Sequence, residues 1–158
     1  MADALTVAYT YLNRRERTVA EVRARLAKAE CPDSEAEAVI SELLELGSLD
    51  DARYARMFIE DKRNLESWGT ERIQRALLER GIERDVVSAA LTGAGAEESG
   101  GEPQSELDRA LDLLSRRFPV PAEDPRERER AFGMLVRKGY ESEVAADAVR
   151  VWARGGAD

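Results

Sequence analysis

Ile73-Gln-Arg-Ala-Leu77-Leu-Glu-Arg-Gly81-Ile82-Glu-Arg-Asp-Val86 decides the fold, because the chain writes the same spacing again further on. Ala131, Leu135, Gly139, Tyr140 and Val144 fall at the same intervals as Ile73, Leu77, Gly81, Ile82 and Val86. Val22, Leu26 and Cys31 start the pattern a third time near the N-terminus, with Glu30 where the other copies have glycine. Apolar residues four apart followed by glycine read as an amphipathic helix with a left-handed stop. Self-similarity of this kind marks a repeat protein, in which each unit buries its apolar face on its neighbours and the row offers an extended surface to a partner. The fold class expected is all-α, three tandem three-helix repeats in an elongated, curved array.

Composition agrees with helices. The chain has 158 residues, 43% hydrophobic and 35% charged, with only 6% aromatic residues, and few β-branched runs argue against a sheet. Cys31 is the single cysteine and histidine is absent, so a thiol metal cage, an intrachain disulfide and a histidine-based catalytic group are all excluded. Cys31 occupies the position of Ile82 and Tyr140 and reads as a small core residue. No cofactor is expected, and the class implied is a non-enzymatic binder. No charged segment precedes an apolar run at the start and the apolar stretches are short, so a cytoplasmic protein with no membrane contact is expected.

Working outward, repeat one spans 1–47. Leu5, Ala8, Tyr9 and Leu12 give one apolar face, Val19, Val22, Leu26 and Ala29 a second, and Ala36, Val39, Ile40, Leu43 and Leu44 a third. Thr18 with Glu21, and Ser34 with Glu37, match the capping box. Repeat two spans 48–91, with faces of Tyr54, Ala55, Phe58 and Ile59, then Ile73, Ala76 and Leu77, then Ile82, Val86, Ala89 and Ala90. Asp50 and Asp51 precede its first helix and read as N-capping carboxylates. Residues 92–105, rich in glycine and acid, read as a flexible linker. Repeat three, 106–154, resumes with Leu107, Ala110, Leu111 and Leu114, and ends in Val144, Ala145, Ala148, Val149 and Trp152.

The formal net charge is −8, yet the second helix of each repeat leans basic and the third leans acidic. Two readings stand. The charges are solvated helix faces, with cations at C-termini and anions at N-termini; or stacking lines the second helices into a positive stripe that meets an acidic protein or a phosphate backbone. On the second reading Arg72, Arg75 and Arg80 form the middle of the contact and Arg137 and Lys138 extend it, with Arg53, Arg56, Lys62 and Arg63 on the preceding helix as the other choice. Arg72 and Arg75 share a helical face apart from that of Ile73 and Leu77, while Arg80 stands at a helix end where it can cap carbonyls. Trp68, just before Gly69, is either a core wedge or an exposed binding anchor.

Three segments carry a family resemblance. Gly47-Ser48-Leu49-Asp50-Asp51-Ala52-Arg53-Tyr54-Ala55, then Trp68-Gly69-Thr70-Glu71-Arg72-Ile73 with Leu77, Arg80, Gly81 and Ile82, then Leu135-Val-Arg137-Lys138-Gly139-Tyr140 resemble the signatures of the bacterial regulatory protein RecX family. The departures are Ala29-Glu30-Cys31, which lacks the glycine and the larger hydrophobe, and the acidic linker. The resemblance implies three three-helix repeats forming a curved rod that binds the RecA recombinase, lying as a monomer in the groove of the RecA filament on single-stranded DNA. It further implies inhibition, by blocking filament extension or promoting disassembly, of ATP hydrolysis, strand exchange and the co-protease activity behind the SOS response in DNA repair and homologous recombination. Capping, groove blocking and displacement remain alternatives. So do a nucleic-acid-binding repeat that uses the same arginines on phosphates, with weak direct DNA contact, and a general protein-interaction scaffold.

Overall fold

A computed structural model describes residues 3–93, 104–121 and 124–155. Among them the only regular structure is nine α-helices: α1 (Ala4–Leu12), α2 (Val19–Lys28), α3 (Asp33–Glu45), α4 (Asp51–Leu65), α5 (Thr70–Glu79), α6 (Arg84–Gly93), α7 (Glu106–Arg117), α8 (Pro125–Lys138) and α9 (Ser142–Ala153). The fold is all-α, as the spacing predicts, and successive helix triplets correspond to the three copies of the pattern. Most of the expected linker, 94–103, lies outside the described residues. Of its edges, Thr92 and Gly93 belong to α6 and Ser105 caps α7.

Packing gathers the chain into two compact units. The first is Met1–Phe58 with Ala76–Thr92, the second Ile59–Arg75 with Gly93–Asp158. The second helix triplet is thus shared, since α4 and α5 each contribute residues to both units. In the first unit Ala4, Ala8, Val22, Leu26, Cys31, Ala36, Ile40, Leu43 and Leu49 form one buried cluster. In the second, Ala110, Leu113, Leu114, Ala131, Met134, Leu135, Tyr140, Ala145, Ala148, Val149 and Trp152 form the other, with Phe118 tilted against Trp152 at 5.5 Å between ring centroids.

Helix starts explain where each element begins. The Thr18–Glu21 box is formed in both directions, with Thr18 Oγ1 accepting from the Glu21 amide and Glu21 Oε1 from the Thr18 amide. The Ser34–Glu37 box does not form, because α3 begins two residues earlier than a Ser34 cap would set it, with Pro32 at the cap position, and Glu37 instead accepts from Arg23 Nε at 2.6 Å. Several expected faces are rotated slightly. Leu44 and Tyr9 are exposed and Ala4 is buried; Val87 is fully buried while Val86 is only half-buried and Ala89 is exposed. A run of two apolar neighbours fixes the helix but not which of them points inward.

Two seams repeat the same bonds, one inside each unit. In the first unit Asp50 caps α4 by accepting from the Arg53 amide at 3.0 Å, whereas Asp51 reaches away and accepts from the Val19 amide at the start of α2, at 2.9 Å. In the second unit Ser105 caps α7 by accepting from the Asp108 amide at 3.1 Å, and Glu106 accepts from the Thr70 amide at the start of α5, at 3.2 Å. Asp50-Asp51 and Ser105-Glu106 are therefore the same device: one residue caps its own helix, the next closes the open amide of the preceding repeat's second helix. The C-terminal ends match too. Thr18 Oγ1 donates to the Arg80 carbonyl at 2.8 Å in one seam; the Gly69 and Glu71 amides donate to the Lys138 and Gly139 carbonyls at 2.7 and 3.0 Å in the other.

The glycines of the pattern serve this approach. A Cβ on Gly81 would stand 2.3 Å from Ala20 Cβ, and one on Gly139 would stand 2.2 Å from Arg72 Cβ, and both glycines have positive φ, 86° and 102°. Glu30 takes the same left-handed turn at φ 62° and is exposed. Exposed there, the first repeat keeps the turn with a full side chain in place of glycine.

Candidate interaction site

The nine basic residues singled out from the sequence fall into both units and into two kinds. In the first unit, Arg53 is tied down: Nη1 donates to the Gly47 carbonyl at 2.8 Å and Nη2 pairs with Glu16 at 3.3 Å. Arg80 is tied down as well, with Nε donating to the Tyr54 hydroxyl at 3.1 Å, Nη1 to the Ala76 carbonyl at 3.1 Å, and the guanidinium 4.7 Å from the centroid of the Phe58 ring. Arg80 therefore fastens α5 to α4 within this unit. Arg56 is exposed.

In the second unit, three of the remaining six, Lys62, Arg72 and Lys138, converge. Trp68 is half-buried, neither a core wedge nor a bare anchor: the Arg72 guanidinium lies 4.0 Å from its ring centroid and the Lys62 ammonium 4.7 Å. Cation–π stacking of this kind contributes about 0.5–2 kcal/mol, more as water is excluded. Arg72 Nη1 also donates to the Arg137 carbonyl at 3.3 Å, Lys62 Nζ to Glu66 Oε1 at 2.9 Å, and Lys138 Nζ to the Glu66 carbonyl at 2.9 Å. The hydrogen bond from Lys62, with the nearby charges of Lys138 and Arg72, holds the Glu66 carboxyl below its usual range. One carboxylate thus sits among three cations. Arg75 and Arg137 are exposed beside this group, Arg75 one turn along α5 from Arg72. Arg63, the sixth, turns away from it, paired with Glu106 at 3.9 Å and bonded to Thr70 Oγ1 at 3.4 Å, its side chain only 12% exposed.

The result is a basic surface built around an aromatic ring on α4, the following loop, α5 and the end of α8. Such a surface suits an anionic partner that offers carboxylates or phosphates to guanidinium forks. Sequence reasoning found the cations and left Trp68 between core wedge and exposed anchor, since nothing in Trp68-Gly69 says that Lys62 and Arg72 cover the indole.

Comparison with known proteins names the architecture. Family models for the first, second and third three-helix domains of RecX match residues 4–43, 50–91 and 104–149. A Regulatory protein RecX of Mycobacterium avium is 34% identical over 141 residues, 87% of this chain and 78% of that protein. The chain belongs to the RecX family. The RecX of Leptothrix cholodnii is 33% identical over 144 residues, covering 91% of this chain and 85% of its own. Among solved structures, a crystal structure of RecX from Lactobacillus salivarius superposes with a TM-score of 0.74 over 93% of this chain and 92% of that one, at 18% identity, which speaks to the fold alone. Membership gives the chain a regulatory role, and the RecX three-helix domains are the three copies of the repeat. Among the described residues no helix is long and apolar enough to cross a membrane.

Proposed function

We propose that this chain regulates RecA without catalysing a reaction of its own, by binding the RecA filament on single-stranded DNA and limiting its assembly, ATP hydrolysis, strand exchange and co-protease activity. Membership of the RecX family supports the regulatory part of that reading. The observation that carries the contact is the convergence of Lys62, Arg72 and Lys138 on Trp68 and Glu66, with Arg75 and Arg137 exposed nearby in the same unit. On this reading Arg75 and Arg137 are the residues that meet the filament, while Arg53, Arg63 and Arg80 act as structural fasteners. The protein works as a monomer in the cytoplasm.

The test is a titration of the protein into cognate RecA assembled on single-stranded DNA, with ATP hydrolysis as readout and bare DNA as the parallel arm. Suppression of hydrolysis with preference for RecA-coated strands supports the reading. Binding to bare DNA alone, with the steep salt dependence of counterion release, would make the chain a nucleic-acid binder instead; no effect on either would end both.

A further inference from the structure

A cavity of about 220 Å³ in the second unit is lined by Arg63, Ser67, Arg109, Asp112 and Arg116 among others, without Trp68. Its charges do not close. Glu106 pairs with two of the three guanidiniums, at 3.0 Å from Arg109 and 3.9 Å from Arg63, and also accepts from the Thr70 amide; Arg109 Nη1 further donates to the Gln104 carbonyl, while Arg116 has no ion pair among the described residues. Arg63 Nε is buried with no hydrogen-bond partner among the described residues, and Arg116 has only the Ser67 hydroxyl, at 3.2 Å. Asp112 accepts from the Gln104 amide at 3.4 Å and lies beyond ion-pair distance of all three arginines. Burial, with the like charge of Arg109, pushes Arg63 below its usual pKa. Two guanidiniums facing one carboxylate repel, and a third beside them without a carboxylate leaves an excess of positive charge that a compact anion with several acceptor oxygens would offset.

We propose that this cavity binds a phosphate-class oxyanion, held between Arg63 from α4 and Arg109 and Arg116 from α7. Planar guanidinium forks match tetrahedral oxyanions in paired N–H···O bonds, and Ser67 adds a hydroxyl donor. The volume is several times the roughly 30 Å³ of one water, ample for a phosphate group. The ligand is free phosphate or a phosphate group of a larger molecule. Because the three arginines come from two repeats, the anion fastens the seam that Glu106 and Thr70 begin. This site is independent of RecA, and so is its test.

Thermal unfolding and titration calorimetry with inorganic phosphate, against chloride at matched ionic strength, measure the binding. Saturable stabilisation by phosphate is expected, since a ligand that binds only the folded chain raises its stability by mass action. Arg116→Gln, at an exposed position, should fold normally and weaken phosphate binding at least tenfold, as should Arg63→Gln, whereas Arg25→Gln, exposed on α2 in the first unit, should change it less than twofold. Stabilisation no greater than that of chloride, or equal binding by Arg116→Gln and wild type, overturns the proposal. Competition separates the sources. Displacement by a 5′-phosphorylated oligothymidylate but not by the unphosphorylated one assigns the site to a terminal phosphate, displacement by both to a backbone diester, and displacement by neither to free phosphate; each of these keeps the site.

Discussion

Gly81 offers a test in which the steric and conformational parts of one substitution come apart. At Gly47 an added Cβ meets nothing within 4 Å although φ is +75°, so Gly47→Ala reports the left-handed backbone alone, about 1–2 kcal/mol. At Gly81, with φ +86°, the added Cβ would also lie 2.3 Å from Ala20 Cβ, against an ordinary carbon contact of about 3.5–4.0 Å. The seam must then open by roughly 1 Å or more, straining the 2.8 Å bond from Thr18 to the Arg80 carbonyl, and overpacking of this size costs about 1–3 kcal/mol further. Gly81→Ala should therefore lose about 2–5 kcal/mol in all. The clash has a single partner: the next atom, Ala20 Cα, is at 3.8 Å, an ordinary contact. Ala20→Gly alone should cost up to about 1 kcal/mol through helix propensity, yet combined with Gly81→Ala it should return the steric share. Urea melts of the four proteins, followed by circular dichroism, close the cycle, with a favourable coupling of about 1–3 kcal/mol expected. A cycle additive to within about 0.5 kcal/mol, or Gly81→Ala no costlier than Gly47→Ala, would refute the close approach of α2 to the end of α5.

Asp51 is desolvated and its pKa is raised above the ordinary 3.8, the bond from the Val19 amide working the other way. A raised carboxyl pKa means that the fold disfavours the ionised form, so the stability associated with its proton is full below 3.8 and is lost as pH rises through the folded value. Asp51→Asn, which keeps an acceptor for Val19 and carries no charge, should gain on wild type across that rise, whereas Asp51→Ala should lose about 1 kcal/mol at neutral pH; thermal melts from acid to neutral pH check both. Tyr140 donates to the Ser67 carbonyl at 3.1 Å and burial pushes its pKa up to about 12, so its phenolate should appear late in an ultraviolet alkaline titration and vanish from that titration in Tyr140→Phe. The fold then loses Tyr140's contribution as pH climbs from 10 to about 12, and the Phe variant should lose about 1 kcal/mol at neutral pH in urea melts. Arg75→Glu with Arg137→Glu should leave the melting temperature within a few degrees of wild type and weaken binding to RecA filaments at least tenfold, measured by fluorescence anisotropy, since exposed charges add little to stability and much to association.

The helices were legible because their spacing is written three times, and the Thr18–Glu21 cap because both partners lie within one turn. The Ser34–Glu37 pair has the same letters, but Pro32 starts α3 early and turns Glu37 toward Arg23. Asp51 shows the limit most clearly. Two adjacent carboxylates before a helix read as caps of that helix, and only the packing reveals that the second serves another helix start 32 positions back. Ser105-Glu106 does the same with different letters, and so escaped comparison with Asp50-Asp51. Of the basic residues, the sequence gives charge without commitment: Arg53 and Arg80 have the composition of a contact and the bonding of a clamp, while Arg75 and Arg137 differ from them only in having been left exposed.

The two ends of the repeat pattern are finished differently from its middle. In α8 the residue matching Thr70 by spacing is Arg128, and its amide is spent on the Asp124 carbonyl because that helix starts earlier, with Asp124 as cap and Pro125 contributing no N–H at all. At the opposite end, Glu30 puts a full side chain where Gly81 and Gly139 leave a gap. The Arg128 amide is thus already bonded and Glu30 carries a side chain where its counterparts carry none, so the bonds that join neighbouring copies are written into the inner faces of the pattern and not into these two positions.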